Sequence, residues 1–255
     1  MTKPTDDILL TREGPIALIT LNRPQRHNSL VPEFLQEMLA ALTAVAQEPE
    51  VQAVALQANG RSFSTGGDVR GFYDHLDDIE PYAREIVGLL NQVMLAMMRL
   101  PVPVVTAVHG IVTGGSLGLA LASDIVLVTP AASFTPYYSV VGFSPDGGWT
   151  AVLPQLIGLR RAAAVLMHNQ TIDAETAVRW GLANRLVPAG AIRAEALAAA
   201  TDLAAKKSGS LRHTKQRLFT ELGGVAARLE AERTHFVRQI MTPEARQGIL
   251  EFLKK

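Results

Sequence analysis

The sequence predicts an α/β body followed by a helical C-terminal region, and three observations carry that prediction. Up to Thr150, short apolar runs of strand length alternate with segments of helical spacing. The junctions between them are rich in glycine, and beyond Thr150 the strand-like runs give way to helix formers at helical spacing. Taken in order, residues 16–21 and 52–57 read as short buried strands. They flank residues 31–47, whose apolar spacing is helical and whose start carries Ser29 and Pro32, so the chain opens β, α, β. Residues 104–108 and 125–128 repeat the strand signal, separated by a glycine-rich turn and a short apolar helix over 116–122. Helices are then expected over 162–168, 174–180, 191–206, 211–222 and 225–240, with the alanine-rich run 194–205 as ordinary close-packed helix. The expected organisation is an α/β core over residues 1–200 and a helical region over 201–255.

Composition removes several function classes. The 255 residues are 48% hydrophobic, enough for a substantial core, and 24 basic residues balance 24 acidic ones. That balance, with no run of like charge, leaves no electrostatic footprint for nucleic acid or for an anionic membrane. The absence of cysteine excludes disulfide scaffolding, thiolate catalysis and cysteine metal sites. His27, His75, His168, His213 and His235 show no ligand spacing, and no metal is expected. Residues 1–14 are polar and acidic, and the most apolar stretch, 100–128, is interrupted by Pro101, Pro103, His109, Asp124 and several glycines. A soluble, cytoplasmic protein acting on a small molecule is the expectation.

Two segments about fifty residues apart look built to present bare peptide N–H groups: Arg61-Ser62-Phe63-Ser64-Thr65-Gly66-Gly67-Asp68 and His109-Gly110-Ile111-Val112-Thr113-Gly114-Gly115-Ser116. Small residues let a ligand approach the backbone closely, and a helix starting near Ser116 would add the positive end of its dipole. Gly114-Gly115 also suits a plain tight strand-to-helix turn.

Four ordered motifs resemble the crotonase superfamily, the enoyl-CoA hydratase and isomerase family. They are Leu21-Asn22-Arg23-Pro24-Gln25-Arg26-His27-Asn28-Ser29-Leu30, Phe63-Ser64-Thr65-Gly66-Gly67-Asp68, Val108-His109-Gly110 leading to Gly114-Gly115, and Ala174-Glu175-Thr176-Ala177 to Gly181-Leu182. The resemblance runs over residues 16–188; the C-terminal helices match only in type. It implies a spiral of ββα turns and a helical C-terminal region that supports a homotrimer or dimer of trimers. It also implies an acyl-CoA thioester substrate, with coenzyme A part of the substrate and no prosthetic group. The thioester carbonyl would be held by the Ser64 and Gly115 amides, and the CoA moiety would meet Arg26, Thr65, Gly66, Gly67 and Asp68, with Arg23 a further candidate for its phosphates. Two preorganised donors could stabilise enolate charge by about 3 kcal/mol each in a water-poor site.

The same resemblance bears on the acid and base. Hydratases of the family use two glutamates; here Gly118 stands at the first position and Tyr138 at the second. Related members place a single carboxylate in a later loop, and Gly142-Phe143-Ser144-Pro145-Asp146-Gly147-Gly148-Trp149 is similar to that arrangement. Asp146 is then the candidate base, its charged form disfavoured by apolar walls, able to move a proton from C2 to C4 of a 3-enoyl-CoA. Ser-Pro-Asp-Gly is equally a turn sequence whose aspartate caps a helix. Tyr138 is a poor base near neutral pH and reads as a pocket wall or a hydrogen-bonding group. Isomerisation of 3-enoyl-CoA, or ring-type acyl-CoA isomerisation, is expected ahead of hydration.

Asp68 reads as a cap of the next helix, His109 as a neutral histidine satisfied by backbone, and Phe72, Tyr73 and His75 as a roof over the acyl pocket or as ordinary loop packing. Gly114-Gly115-Ser116-Leu117-Gly118 also matches the Gly-x-Ser-x-Gly elbow of serine hydrolases, with Asp173 or Asp202 and His213 or His235 as nominal partners. An acyl-CoA-binding protein without turnover is the third class, should Asp146 serve only as a cap.

Overall fold

The computed structural model describes residues 7–219 and 222–254. Strands β1 (Ile8–Glu13), β2 (Ile16–Leu21), β3 (Ala53–Ala58), β4 (Val104–Val108), β6 (Ile125–Val128) and β9 (Arg185–Leu186) form one sheet in that order, parallel apart from the β1–β2 pair. A smaller sheet joins β5 (Ile111–Thr113), β7 (Ser133–Thr135) and β8 (Ile172–Asp173). β4, β5 and helix α4 (Leu117–Leu121) make one ββα turn, and β6, β7 and α5 (Tyr138–Val141) make the next. Each turn gives its first strand to the large sheet and its second to the small one, so the chain climbs as a spiral.

β2 is apolar at every position but Thr20 because it is covered on both faces. Successive side chains alternate between two cores. Ile19 and Leu21 join Leu56 and the helices α1 (Pro32–Gln47) and α3 (Ile79–Arg99), whereas Ile16 and Leu18 join Ala55, Val105 and Ala107 under α9 (Ile192–Ala204). Two elements carried no clear signal. In β1 only Ile8 is fully buried, and α3 spreads its apolar residues over a broad face between α1 and α11 (Leu222–Ile240).

The division at residue 200 does not follow the packing. Ala200 lies inside α9, wholly buried against the large sheet. Leu229, Phe236 and Ile240 of α11, with Ala245 and Ile249 of α12 (Pro243–Phe252), belong to the same core as β2 and α3. The helix expected over 211–222 is α10 (Ser208–Leu218), and residues 220–221 of that expectation lie outside the described residues.

Lys215 of α10 is a buried cation with full compensation. Its Nζ donates to Met97 O (3.0 Å), Val102 O (3.1 Å) and Asp124 Oδ2 (2.7 Å), and the same Asp124 oxygen accepts from Val104 N (2.7 Å). Burial pulls the lysine pKa down, and the aspartate opposes that. Lys215→Met would take the cation from a carboxylate left with Val104 N as its donor, and would remove the Nζ donor from Val102 O and from Met97 O, which keeps Leu100 N (3.3 Å). It is expected to cost about 3 kcal/mol, measured as a lower urea midpoint; an unchanged midpoint would show the pair to be energetically idle.

Candidate active site

A cavity of about 530 Å³ lies where the two glycine segments, α5 and the 142–149 turn meet. Ile86, Val87 and Leu90 of α3 wall it, and Phe72, Phe143 and Phe236 meet in a triangle of ring contacts at 5.5–5.9 Å. Phe252 and Leu253 at the end of the chain also line it, so the C-terminal helices close the site as well as the core. Phe72 therefore sits where a roof was expected; Tyr73 and His75 do not line the cavity, and His75 stacks on Tyr82 at 4.2 Å.

The first segment is shaped by buried polar groups. Asn28 adopts a left-handed backbone (φ 52°), which asparagine tolerates, and its Nδ2 donates to Asn59 O, Ser62 O and Phe63 O at 2.9–3.1 Å. Ser64 is consumed by scaffolding. Its N–H donates to Ile111 O (3.1 Å), its hydroxyl to Asn28 O (2.6 Å), and its carbonyl accepts from Thr113 N (3.2 Å) and Ser116 Oγ (3.0 Å). The Ser64 amide therefore does not face the cavity, which corrects the expectation for that residue. Gly67, three residues on, lines the cavity, and no carbonyl among the described residues accepts from its N–H. Gly66 precedes it at φ +76°, and a Cβ there would lie 2.6 Å from Thr113 O, so the two segments touch at this glycine.

Gly115 stands in the first turn ahead of α4, where backbone N–H groups lack intrahelical acceptors. It also lines the cavity. Trp149, wholly buried, fixes this turn by donating from Nε1 to Gly114 O at 2.7 Å. A Cβ on Gly115 would lie 2.9 Å from Asp146 Oδ2, so the bare backbone and the carboxylate are immediate neighbours.

Asp146 does not cap a helix through its side chain. Its Oδ1 accepts from Tyr138 Oη at 2.5 Å, and the same hydroxyl contacts Asp146 O at 3.1 Å. Burial pushes the Asp146 pKa up to about 7, the Tyr138 hydrogen bond holds it down, and the Glu232 charge pushes it further up. The Tyr138 phenol is raised well above its ordinary value, first by burial and then by the Asp146 charge, so it stays protonated and donates. Tyr137 just before α5 is held at φ +62° with its N–H on Asn169 Oδ1 (2.7 Å), a strained position on the cavity wall.

Asp68, the other acidic residue lining the cavity, is occupied differently. It caps α2 (Val69–Asp74) by accepting from Arg70 N (3.1 Å), and binds Arg26 Nη2 (2.9 and 3.2 Å) and Ser29 Oγ (3.2 Å). Burial favours its neutral form, but the Arg26 hydrogen bond and charge hold its pKa below the usual carboxylate value. Arg26 and Thr65 lie at the cavity, whereas Arg23 is turned to Ser29, Asp7 and Asp68 and is not on its wall. His109, its pKa lowered by burial, meets Gly60 O at 2.9 Å and also lies off the cavity.

Two alternative chemistries meet steric and bonding facts. The Ser116 hydroxyl is wholly buried and donates to Thr113 O (2.7 Å) and Ser64 O (3.0 Å); neither His213 nor His235 lines the cavity, so the nucleophile-elbow reading is not supported. At Gly118 a Cβ would lie 2.6 Å from Met94 Sδ and 3.1 Å from Gly147 O, so the space a hydratase's first glutamate needs is filled by core. Among the described residues no group of three or more His, Asp or Glu could hold a metal, and no helix is long and apolar enough to cross a membrane.

A spiral of ββα turns with two glycine segments converging on an apolar cavity defines an enzyme of the crotonase type. The chain belongs to the enoyl-CoA hydratase/isomerase family, whose model matches residues 11–255. It is 35% identical over 225 residues to the "Probable enoyl-CoA hydratase echA12" of Mycobacterium bovis, covering 85% of this chain and 77% of that one. It is 32% identical over 178 residues to the "Trans-2-decenoyl-[acyl-carrier-protein] isomerase" of Streptococcus mutans, covering 69% of this chain and 67% of that one. A solved enoyl-CoA hydratase/isomerase from Mycobacterium paratuberculosis superimposes with a TM-score of 0.89 at 27% identity, covering 97% and 98% of the two chains. The family acts on CoA thioesters.

Proposed function

We propose that this enzyme isomerises 3-enoyl-CoA thioesters to trans-2-enoyl-CoA, with Asp146 as the single proton shuttle. The observation that carries the reading is the placement of Asp146: a buried carboxyl against Gly115, held by Tyr138 and by no cation among the described residues, with no companion carboxylate at position 118. The Asp146 carboxylate takes the C2 proton while the C2–H electron pair moves toward the thioester carbonyl, giving a dienolate. Gly67 N–H, in place of Ser64 N–H, and Gly115 N–H stabilise its oxygen. Collapse returns the pair, C4 takes the proton back from Asp146, and the double bond lies between C2 and C3. No water enters. Arg26, Thr65, Gly66 and Asp68, at the cavity wall, are the groups proposed to meet the CoA moiety, with Asp68 acting through its grip on Arg26. A cytoplasmic location and assembly as a homotrimer or dimer of trimers belong to the same reading, and the exposed Leu159 and Met167 on α7 (Leu159–Met167) favour self-association.

Product analysis with 3-enoyl-CoA and 2-enoyl-CoA supplied side by side tests this. Conversion of the 3-enoyl to the 2-enoyl thioester without hydroxyacyl product is expected; hydration as the main reaction would overturn it. Tyr138→Phe removes the donor that holds the Asp146 pKa down, so the acid limb of kcat should move to higher pH, with kcat near pH 7 lowered about tenfold. A limb that stays in place would remove the phenol from the proton chemistry.

A further inference from the structure

Glu232 of α11 has no part in that proton transfer, yet it is almost completely buried and forms no ion pair among the described residues. Its carboxylate instead grips the turn that follows Asp146. Oε2 accepts from Gly148 N (2.8 Å), while Oε1 accepts from Thr150 N (2.7 Å), Thr150 Oγ1 (2.7 Å) and Ala151 N (2.9 Å). Arg228, one turn earlier on the same helix, adds a bond from Nε to Ala151 O (2.9 Å). The turn so held contains Gly147 and Gly148 at φ +61° and +85°, conformations with little local preference of their own, and Gly147 lies directly against the Gly115 backbone.

We propose that Glu232 is a positioning residue for Asp146, holding from behind the turn that aims the carboxyl at the cavity and placing its carboxylate on the far side of that turn. This deepens the single-shuttle reading and rests on it. Three backbone amides and a hydroxyl satisfy the carboxylate, which forms no ion pair among the described residues, so its negative charge acts on the shuttle. That charge raises the proton affinity of Asp146, and of Tyr138, in addition to the effect of burial. Burial raises the pKa of Glu232 itself, opposed by the four donors. The titratable and charged groups around the pair are Tyr138 from α5, facing Asp146, and Arg228 and His235 from α11, which share a small cavity with Glu232 behind the turn.

Glu232→Gln, Thr150→Val and Asp146→Asn, compared with the wild type, test the proposal through the pH profile of kcat, through KM, and through 13C NMR titration of the Asp146 carboxyl in labelled protein, the signal being assigned by its loss in Asp146→Asn. For Glu232→Gln the Asp146 midpoint and the acid limb should move to lower pH by roughly half a unit, about threefold in relative activity on that limb. Its plateau kcat should fall about tenfold with KM unchanged. Thr150→Val, which removes one donor and no charge, should lower thermal stability slightly and leave the midpoint in place. A Glu232→Gln protein that is less stable but keeps the wild-type midpoint and kcat would reduce Glu232 to a structural clamp and overturn the proposal. Should Glu232→Gln fail to fold, Glu232→Asp, which keeps the charge and shortens the reach, must lose kcat at constant KM, and wild-type kcat there overturns it equally. Activity retained by Asp146→Asn defeats the shuttle reading instead, while the carboxyl titration still decides whether Glu232 and Asp146 are coupled.

Discussion

Asp146→Asn is expected to abolish most isomerisation, lowering kcat about 10³-fold while thioester affinity is retained. The asparagine is close in shape and its amide oxygen can still accept from the Tyr138 hydroxyl, but it cannot take a proton from C2. Steady-state rates with 3-enoyl-CoA and calorimetric binding of a saturated acyl-CoA separate the two effects. Retained turnover would remove Asp146 from the chemistry.

The same substitution has a stability signature. The folded pKa of about 7 lies above the ordinary 3.8, so the folded state holds this proton more tightly than the unfolded chain does. The resulting stabilisation is complete below about pH 4 and is lost as pH rises through about 7, which makes the ionised wild-type carboxylate a destabilising group at pH 8. Asp146→Asn should therefore melt at a higher temperature than wild type at pH 8, by an amount corresponding to at most a few kcal/mol, with the difference shrinking toward pH 4. A more stable but inactive variant is the pattern of a functional group maintained at a stability cost. In the wild type, kcat should fall progressively below about pH 7, as the base becomes protonated.

Gly147→Ala is the second substitution with a large expected effect. Gly147 has φ +61°, and an added Cβ would collide with Gly115 O and lie 2.6 Å from Gly115 Cα. Both obstacles are backbone, so no rotamer change relieves them. Left-handed alanine costs about 1 kcal/mol and the overlap adds about 2 kcal/mol. The melting temperature should then fall by roughly 10 °C. Because the atoms that must yield belong to the proposed oxyanion donor, kcat should fall by about 10² or more even at temperatures where the protein is folded. Gly209→Ala, in α10 with nothing within 4 Å of the added Cβ, is the control and should leave both quantities near wild type. Wild-type turnover in folded Gly147→Ala would dissociate the turn from the oxyanion site.

How legible each part was follows from where its determinants lie. β2, β4 and β6 were readable because helices or a second sheet cover both faces, which turns burial into apolar sequence broken only by Thr20 and Thr106. β1 was not, because most of its side chains face solvent and only its pairing with β2 makes it a strand. The expectation for Ser64 failed although its segment was recognised. Several amides in residues 62–68 look alike along the chain; Ile111 O takes those of Phe63 and Ser64, whereas Gly67, which lines the cavity, has an N–H with no carbonyl acceptor among the described residues. Asn28, Trp149 and Glu232 were missed for a related reason. Asparagine before a small residue and tryptophan after two glycines are weak local signals, and Glu232 on an amphipathic helix resembles any surface glutamate until α11 is laid against the 148–151 turn.

The sequence by itself determined the strand–helix alternation, the glycines that bring backbone close to backbone, the absence of cysteine chemistry, the motif order that marks the family and the lone carboxyl at position 146. These are properties of short segments, where period, residue size and backbone freedom act within a few residues. The tertiary structure decided which amides face the cavity, that Met94 fills the space beside Gly118, that α11 and α12 are part of the core and close the site, and that Asp146 is buried between Tyr138 and Glu232. Hydrogen-bond partners and proton affinity depend on desolvation and on charges carried in from distant parts of the chain, and those are set only when the elements pack.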